Sequence, residues 1–215
     1  MQHASGLIIP QTLAEMCDPA RLALLVYDMQ VDIFHQSPGL ASAIPPVSAV
    51  LEAARSAKVR TFFSQHRSLP NELMGVSQLR TAMAWQRVAR VEDVTSRFLP
   101  DSPGFRLIPE MQPLPSEAVF DKLGMSFFAG TPLDMVLRDC NITAFLIVGV
   151  VLEIGIAPTV SHGTDLGYIP IVVADACGSV DEAARQRALA DINYTQMSLT
   201  TDTATICRLL RAANR

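Results

Sequence analysis

The chain has 215 residues, 49% of them hydrophobic and 18% charged, with a formal net charge of −4. That length suits one domain spanning residues 1–215, the apolar fraction is too high for a disordered chain, and the acidic balance leaves no basic footprint for nucleic acid. The longest apolar runs, such as Thr143 to Val151, are too short to span a bilayer, and Met1 to Pro10 lacks the pattern of a secretory signal, so a cytoplasmic protein without a membrane partner is expected.

Ala23 to Asp28 reads as a short strand, continuously apolar and ending in a carboxylate; unbroken apolarity marks a strand covered on both faces. Ile44 to Lys58 follows as a helix with Val47, Leu51 and Ala54 on one stripe, then Val59 to Ser64 as a second strand. Asn71 to Ala89 is helical in part, and Val91 to Pro115 is polar, proline-rich and loop-like. Ala118 to Asp121 is a short strand before Lys122. Thr131 to Cys140 is a helix with Leu133, Val136 and Leu137 on one face, and Thr143 to Val150 is the most apolar strand. Pro158 to Leu166 is a helix stopped at Gly167, Tyr168 to Ala174 a strand ending in Asp175, and Ser179 to Ala190 a helix. A short strand at Ser198 to Thr200 precedes a last helix, Thr203 to Ala213. Strands alternating with helices predict a three-layer α/β/α fold around a mostly parallel sheet.

In such sheets ligands bind beyond the carboxyl ends of the strands. That rule selects Asp28, Gln65 with His66, Lys122 and the segment Val151 to Gly155. A lysine beside an aspartate at neighbouring strand ends can tune it as a general acid or base, although both residues also suit exposed loop starts. From Gly149 to Thr159 a strand passes through a tight connection into a helix with Pro158 in its first turn. Free backbone N–H groups there would suit an anion, and Gly155 at the entrance serves either that purpose or close helix packing.

Asp28-Met29-Gln30-Val31-Asp32, Lys122 to Phe128 with Thr131 and Leu133, Gly149 to Thr159, Asp165 to Tyr168 and Val173 to Ala176 occur in the order and spacing of a known family. From about Leu22 to Thr200 the chain resembles the isochorismatase-like hydrolases, which include nicotinamidases and carbamoylsarcosine hydrolases. The resemblance implies a catalytic Asp at Asp28, a Lys at Lys122 and, in most members, a nucleophilic Cys. The position of that cysteine is Gly155 here, and glycine offers no nucleophile. The resemblance also implies a non-proline cis peptide around Val151-Leu152, setting backbone donors toward a small-molecule substrate, and a homo-oligomer.

Isochorismatases resemble the chain in carrying glycine at this position, and they cleave a vinyl ether. On that pattern Asp28 protonates the alkene carbon, Lys122 holds its charge state, Gly155 leaves room for substrate or water, and Gln65 contacts substrate. Arg80 or Arg67 would pair with a substrate carboxylate, because a guanidinium grips carboxylates in bidentate fashion. Leu152 and Glu153 depart from the isochorismatase pattern, as does the segment from Arg67 to Trp85, which points away from isochorismate itself. No cofactor is expected. Asp32 and His35 lie where nicotinamidases hold a metal, but the Asp and paired His of the second strand are missing, so no metal is expected. The cysteines at 17, 140, 177 and 207 lack metal-type spacing and read as free thiols, none at the nucleophile's place. Trp85, Phe127 and Phe128 suit either a pocket wall or the core, and Glu153 either a second site carboxylate or a helix-dipole partner. Two other readings stand beside cysteine-free hydrolysis: a pseudoenzyme that keeps the pocket for binding, and an amidohydrolase whose cysteine was replaced.

Overall fold

Parallel strands buried on both faces need helices above and below, and the computed structural model, which describes residues 1–213, is built that way. After a two-stranded hairpin, β1 (Gln2–Ala4) and β2 (Leu7–Ile9), and a short helix, α1 (Leu13–Met16), come β3 (Leu22–Tyr27), α2 (Val31–Gln36), α3 (Ile44–Ser56) and β4 (Arg60–His66). Then follow α4 (Val76–Gln86), β5 (Ala118–Lys122), α5 (Leu133–Asp139), β6 (Ala144–Val150) and α6 (Ala157–Asp165). The chain continues through β7 (Ile169–Gly178), α7 (Glu182–Thr195) and β8 (Leu199–Thr201) to α8 (Thr203–Ala213).

Six strands form one sheet in the order β5-β4-β3-β6-β7-β8, with every pairing parallel. The period-two alternation of β3 divides the core. Leu22, Leu24 and Val26 pack with α3 and α8, whereas Ala23, Leu25 and Tyr27 face the side covered by α5, α6 and α7. The expected stripes face the core where they were read: Val47, Leu51 and Ala54 on α3 and Leu133 and Leu137 on α5 are buried, and Val136 is half-buried beside them.

Connections leave β3 toward β4 and β5 on one side, and the chain returns to β6 on the other. β3 and β6 therefore flank the switch point of the sheet, where a crevice opens beyond the strand ends. Gly149 lets them approach. Its φ is +122°, and a Cβ there would meet the Tyr27 backbone, 2.8 Å from the nitrogen. Gly167, at φ +93°, ends the α6 turn as anticipated, with its N–H donating to the Thr164 carbonyl at 2.9 Å.

Several boundaries differ from expectation. β4 runs on to His66, and β7 runs past Asp175 to Gly178 with a register shift between Ile147 and Gly149. α7 begins at Glu182, capped by Asp181, whose carboxylate accepts from the Ala184 N–H. α2 and the N-terminal hairpin were not anticipated. Among the described residues no helix is long and apolar enough to cross a membrane.

Candidate active site

Asp28 is the first residue past β3, and its φ of +45° turns the chain sharply at the sheet edge, in a region that Asp tolerates better than most side chains. The turn leaves the carboxylate buried and held on both oxygens. Lys122 Nζ, at the end of β5, donates to Oδ2 at 2.7 Å. Ser64 Oγ, on the intervening β4, donates to Oδ1 at 2.5 Å and accepts from the Asp28 N–H at 3.1 Å. Lys122 also donates to the Gly124 carbonyl at 3.3 Å and lies 4.3 Å from the centroid of the Tyr27 ring. Its side chain is fully shielded, and the ammonium sees one carboxylate, one carbonyl and one aromatic face.

Asp28 opens on a cleft of about 550 Å³. Its inner end is formed by Tyr27, Asp28, Val150, Val151 and Gly155, and its walls include Ile33, Leu40, His66, Phe98 and Met125. A second hollow of about 590 Å³ shares His66, Trp85, Phe98 and Met125 with it and carries Arg67 and Arg97. A smaller hollow of about 260 Å³ lies under the N-terminal hairpin at the opposite edge of the sheet, by Thr143 and Ala144, away from Asp28.

After Val150 the chain makes one π-helical turn, Leu152–Ile156, before α6. A π-turn inside a helix start is a frequent mark of a functional site. The Gly155 N–H donates to the Val151 carbonyl at 3.0 Å, and its own carbonyl accepts from Thr159 Oγ1 at 2.7 Å. Thr159 Oγ1 also accepts from the Phe127 N–H at 3.0 Å, tying this turn to the loop after Lys122. The non-proline cis peptide is Val150-Val151, one bond earlier than the expected Val151-Leu152.

Of the sequence candidates, Asp28, Val151 and Gly155 border one cleft, and Lys122 reaches that cleft's carboxylate from behind. Leu152 is wholly buried in the core on the α6 side and does not border the cleft. Gln65 does not either. Its Nε2 donates to the Phe105 carbonyl at 2.7 Å, so it anchors the long excursion. Arg80 is exposed on α4 and borders neither hollow; Arg87, just past that helix at φ +55°, is the guanidinium beside the Asp28 cleft. Arg67 borders the outer hollow, 3.8 Å from Asp121.

His66 lines both hollows, and burial depresses its pKa, with the Asp28 charge opposing and the Lys122 charge adding to the effect. Trp85 stands at the rim, 58% exposed, whereas Phe127 and Phe128 are core residues. Glu153 turns away to accept from the Val180 N–H at 3.0 Å. Asp32 accepts from Gln36 on its own helix at 2.8 Å, and among the described residues no cluster of three metal-ligating side chains forms. Cys17, Cys140, Cys177 and Cys207 are free thiols, none of them in the cleft lining. Cys177 is enclosed next to Ile147, and burial pushes its thiol up to about 12.

Ser64, Tyr27 and Gln30 are the residues that sequence reasoning passed over. Ser64 had a weak signal at most: it is the last residue of the predicted second strand, one step before the strand-end residues Gln65 and His66. Gln30 is fully buried and acts as a clamp. Its Nε2 donates to the carbonyls of His66 at 3.0 Å and Phe105 at 2.8 Å, and its Oε1 accepts from the His66 N–H at 2.7 Å.

Comparison with known proteins agrees with this fold. The sequence model of the Isochorismatase domain matches residues 22–205. Ureidoacrylate amidohydrolase RutB of Cronobacter sakazakii is 27% identical over 190 residues, covering 81% of this chain and 82% of that protein. The RutB of Serratia proteamaculans is 28% identical over 211 residues, covering 90% and 84%. Among solved structures, a cysteine hydrolase from Pseudomonas syringae pv. phaseolicola superposes with a TM-score of 0.76 at 24% identity, over 91% of this chain and 94% of that one. An N-carbamoylsarcosine amidase from Thermoplasma acidophilum superposes with a TM-score of 0.69 at 22% identity, over 85% and 96%. With one family model covering most of its length and the fold shared throughout, the chain belongs to the isochorismatase family of hydrolases.

Proposed function

We propose that the protein hydrolyses a small organic molecule by acid–base catalysis at Asp28, with water in place of a cysteine nucleophile. The observation that carries this reading is a buried carboxylate gripped by Lys122 and Ser64, opening on a substrate-sized cleft whose usual nucleophile position is glycine. An open cleft and an intact Asp–Lys pair argue for chemistry over a pocket kept only for binding.

Cleavage of an enol ether is the nearest model. The Asp28 carboxyl gives its proton to the terminal alkene carbon, the C=C electron pair forms the new C–H bond, and the ether-bearing carbon becomes oxocarbenium-like. Water adds to that carbon and returns a proton to the Asp28 carboxylate, and the hemiketal collapses to a carbonyl compound and an alcohol. Lys122 stabilises the carboxylate each time the proton leaves it. Ser64 fixes the orientation of that carboxylate, so the proton is delivered from one direction. Arg87 at the cleft, with Arg67 and Arg97 in the outer hollow, suits an anionic substrate.

A second reading keeps the residues and changes the bond. The RutB relatives are named as amidohydrolases, and the same Asp28 could activate water against an amide carbonyl. Four free cysteines fit a reducing, cytoplasmic setting, and a homo-oligomer completes the proposal by family resemblance.

A hydrolysis screen with isochorismate, simpler enol ethers and small amides distinguishes the readings. The enol-ether reading expects turnover of an enol ether that falls roughly 10²–10⁴-fold in Asp28→Asn. Turnover of amides alone would transfer the proposal to the second reading. Binding without turnover of any of them would count against both.

A further inference from the structure

Gly155 is not glycine for backbone reasons. Its φ lies outside the left-handed region, and its N–H and carbonyl make hydrogen bonds open to any residue. What excludes a side chain is Tyr27. A Cβ built on residue 155 would stand 2.5 Å from Tyr27 Cε1 and closer still to Cζ and the hydroxyl, and these are its three nearest neighbours.

The ring is held in place from several sides. Tyr27 is almost fully buried, its hydroxyl donates to the Met125 carbonyl, and its ring meets Phe127 edge-on at 6.5 Å between centroids. Lys122 covers it at 4.3 Å from the centroid. The place that a nucleophile's side chain would take is thus already filled, by the residue immediately before the catalytic aspartate.

We propose that Tyr27 and Gly155 are a specificity-determining pair, in which the phenol occupies the space of a side chain at position 155 and reserves the reacting end of the cleft for water. Burial, reinforced by the Asp28 charge, holds the Tyr27 phenol well above its ordinary pKa. It therefore stays a neutral donor to Met125 and does not become a second base or a nucleophile. Tyr27 is a positioning residue: it excludes a side chain at 155 and underlies the ammonium that grips Asp28. The idea deepens the cysteine-free reading and takes from it only the role of water.

The test uses stability and thiol chemistry, so it can fail while the hydrolysis reading stands, and the reverse. Gly155→Cys is made in the natural protein and in Tyr27→Val, whose smaller side chain still suits a strand. In the natural background the substitution should lower Tm by roughly 5 °C, as overpacking of a filled site does. In Tyr27→Val it should be neutral or should raise Tm. Mass spectrometry after iodoacetamide should find the introduced thiol alkylated at least about tenfold faster in the double variant than in Gly155→Cys. An equal loss of Tm in both backgrounds, or equal alkylation, overturns the pair. Recovery is judged against Gly155→Cys itself, so a double variant that stays unfolded also counts against it.

Discussion

Two donors converge on Asp28 from neighbouring strands, and the consequences differ for each. Lys122 supplies charge; Ser64 supplies direction, because it accepts from the Asp28 N–H while donating to the carboxylate. Ser64→Ala leaves a buried carboxylate oxygen and a backbone N–H without that partner. It should lower unfolding free energy by about 2 kcal/mol in urea titration and reduce kcat more than it raises KM. An unchanged kcat would remove Ser64 from the machinery. His66 gives a pH prediction. Its folded pKa lies below the ordinary 6.5, chiefly through burial, so the unfolded chain binds the proton more readily. Stability is therefore full above 6.5 and falls as pH drops through 6.5 toward the folded value. Relative to His66→Asn, the natural protein should lose stability across that window; parallel pH profiles would contradict the assignment. Asp28 and Lys122 were legible in the sequence because the strand-end rule needs only strand positions. The same rule and the isochorismatase pattern also selected Gln65, and Arg80 was chosen as a guanidinium for a substrate carboxylate. Side-chain direction decided otherwise, with Gln65 turned to the Phe105 carbonyl and Arg87 in place of Arg80 at the cleft.

The elements that carry the site are β3 and β6, and what fixes the cleft wall is the excursion between α4 and β5. Phe105 to Ile108 runs back along the Asp28 turn. Gln30 and Gln65 hold the Phe105 carbonyl, the Val31 N–H donates to Arg106 at 2.9 Å and the Ile108 N–H donates to Met29 at 2.9 Å. The far end of the excursion is tied by Arg55 on α3. Its Nε and Nη2 grip the Glu117 carboxylate at 2.8 and 2.7 Å, and Nη2 also donates to the Gln112 carbonyl. The Glu117 side chain is only 5% exposed, so Arg55→Ala leaves a shielded charge unpaired. The expected loss is about 3 kcal/mol in denaturant unfolding, against near zero for an exposed pair such as Arg90–Glu92. Equal small effects at both pairs would contradict this. β3 and β6 were readable because their unbroken apolar runs are strand-length, too short for an ordinary helix, and bounded by polar residues. α2 was not, since it has six residues, no side-chain N-cap bond, and a start held by a partner some 75 positions away in Arg106. Asn71 to Ala89 is helical in part, as expected, over Val76–Gln86; its bounds were not legible because α4 buries no residue fully, which leaves its apolar periodicity weak.

At the scale of the molecule, a strand order that reverses between β3 and β6 brings Asp28, the π-turn at Gly155 and the Lys122 loop to one edge, although they are far apart in sequence. The sequence implied the layers and the edge, through alternation and the family pattern. It did not yield the Tyr27–Gly155 contact, because packing across two strands has no local signature. For the homo-oligomer proposed by family resemblance, light scattering should give a particle of at least twice the 23.3 kDa chain; a monomer would contradict it. The central claim is hydrolysis by Asp28 without any thiol. Its most direct test measures turnover of the enol ether or amide found active, comparing the natural protein, Asp28→Asn and a variant with Cys17, Cys140, Cys177 and Cys207 all changed to Ser. Full activity is expected without the cysteines, and a loss of roughly 10²–10⁴-fold without the Asp28 carboxylate. Loss of activity with the cysteines, or its survival in Asp28→Asn, would contradict the claim.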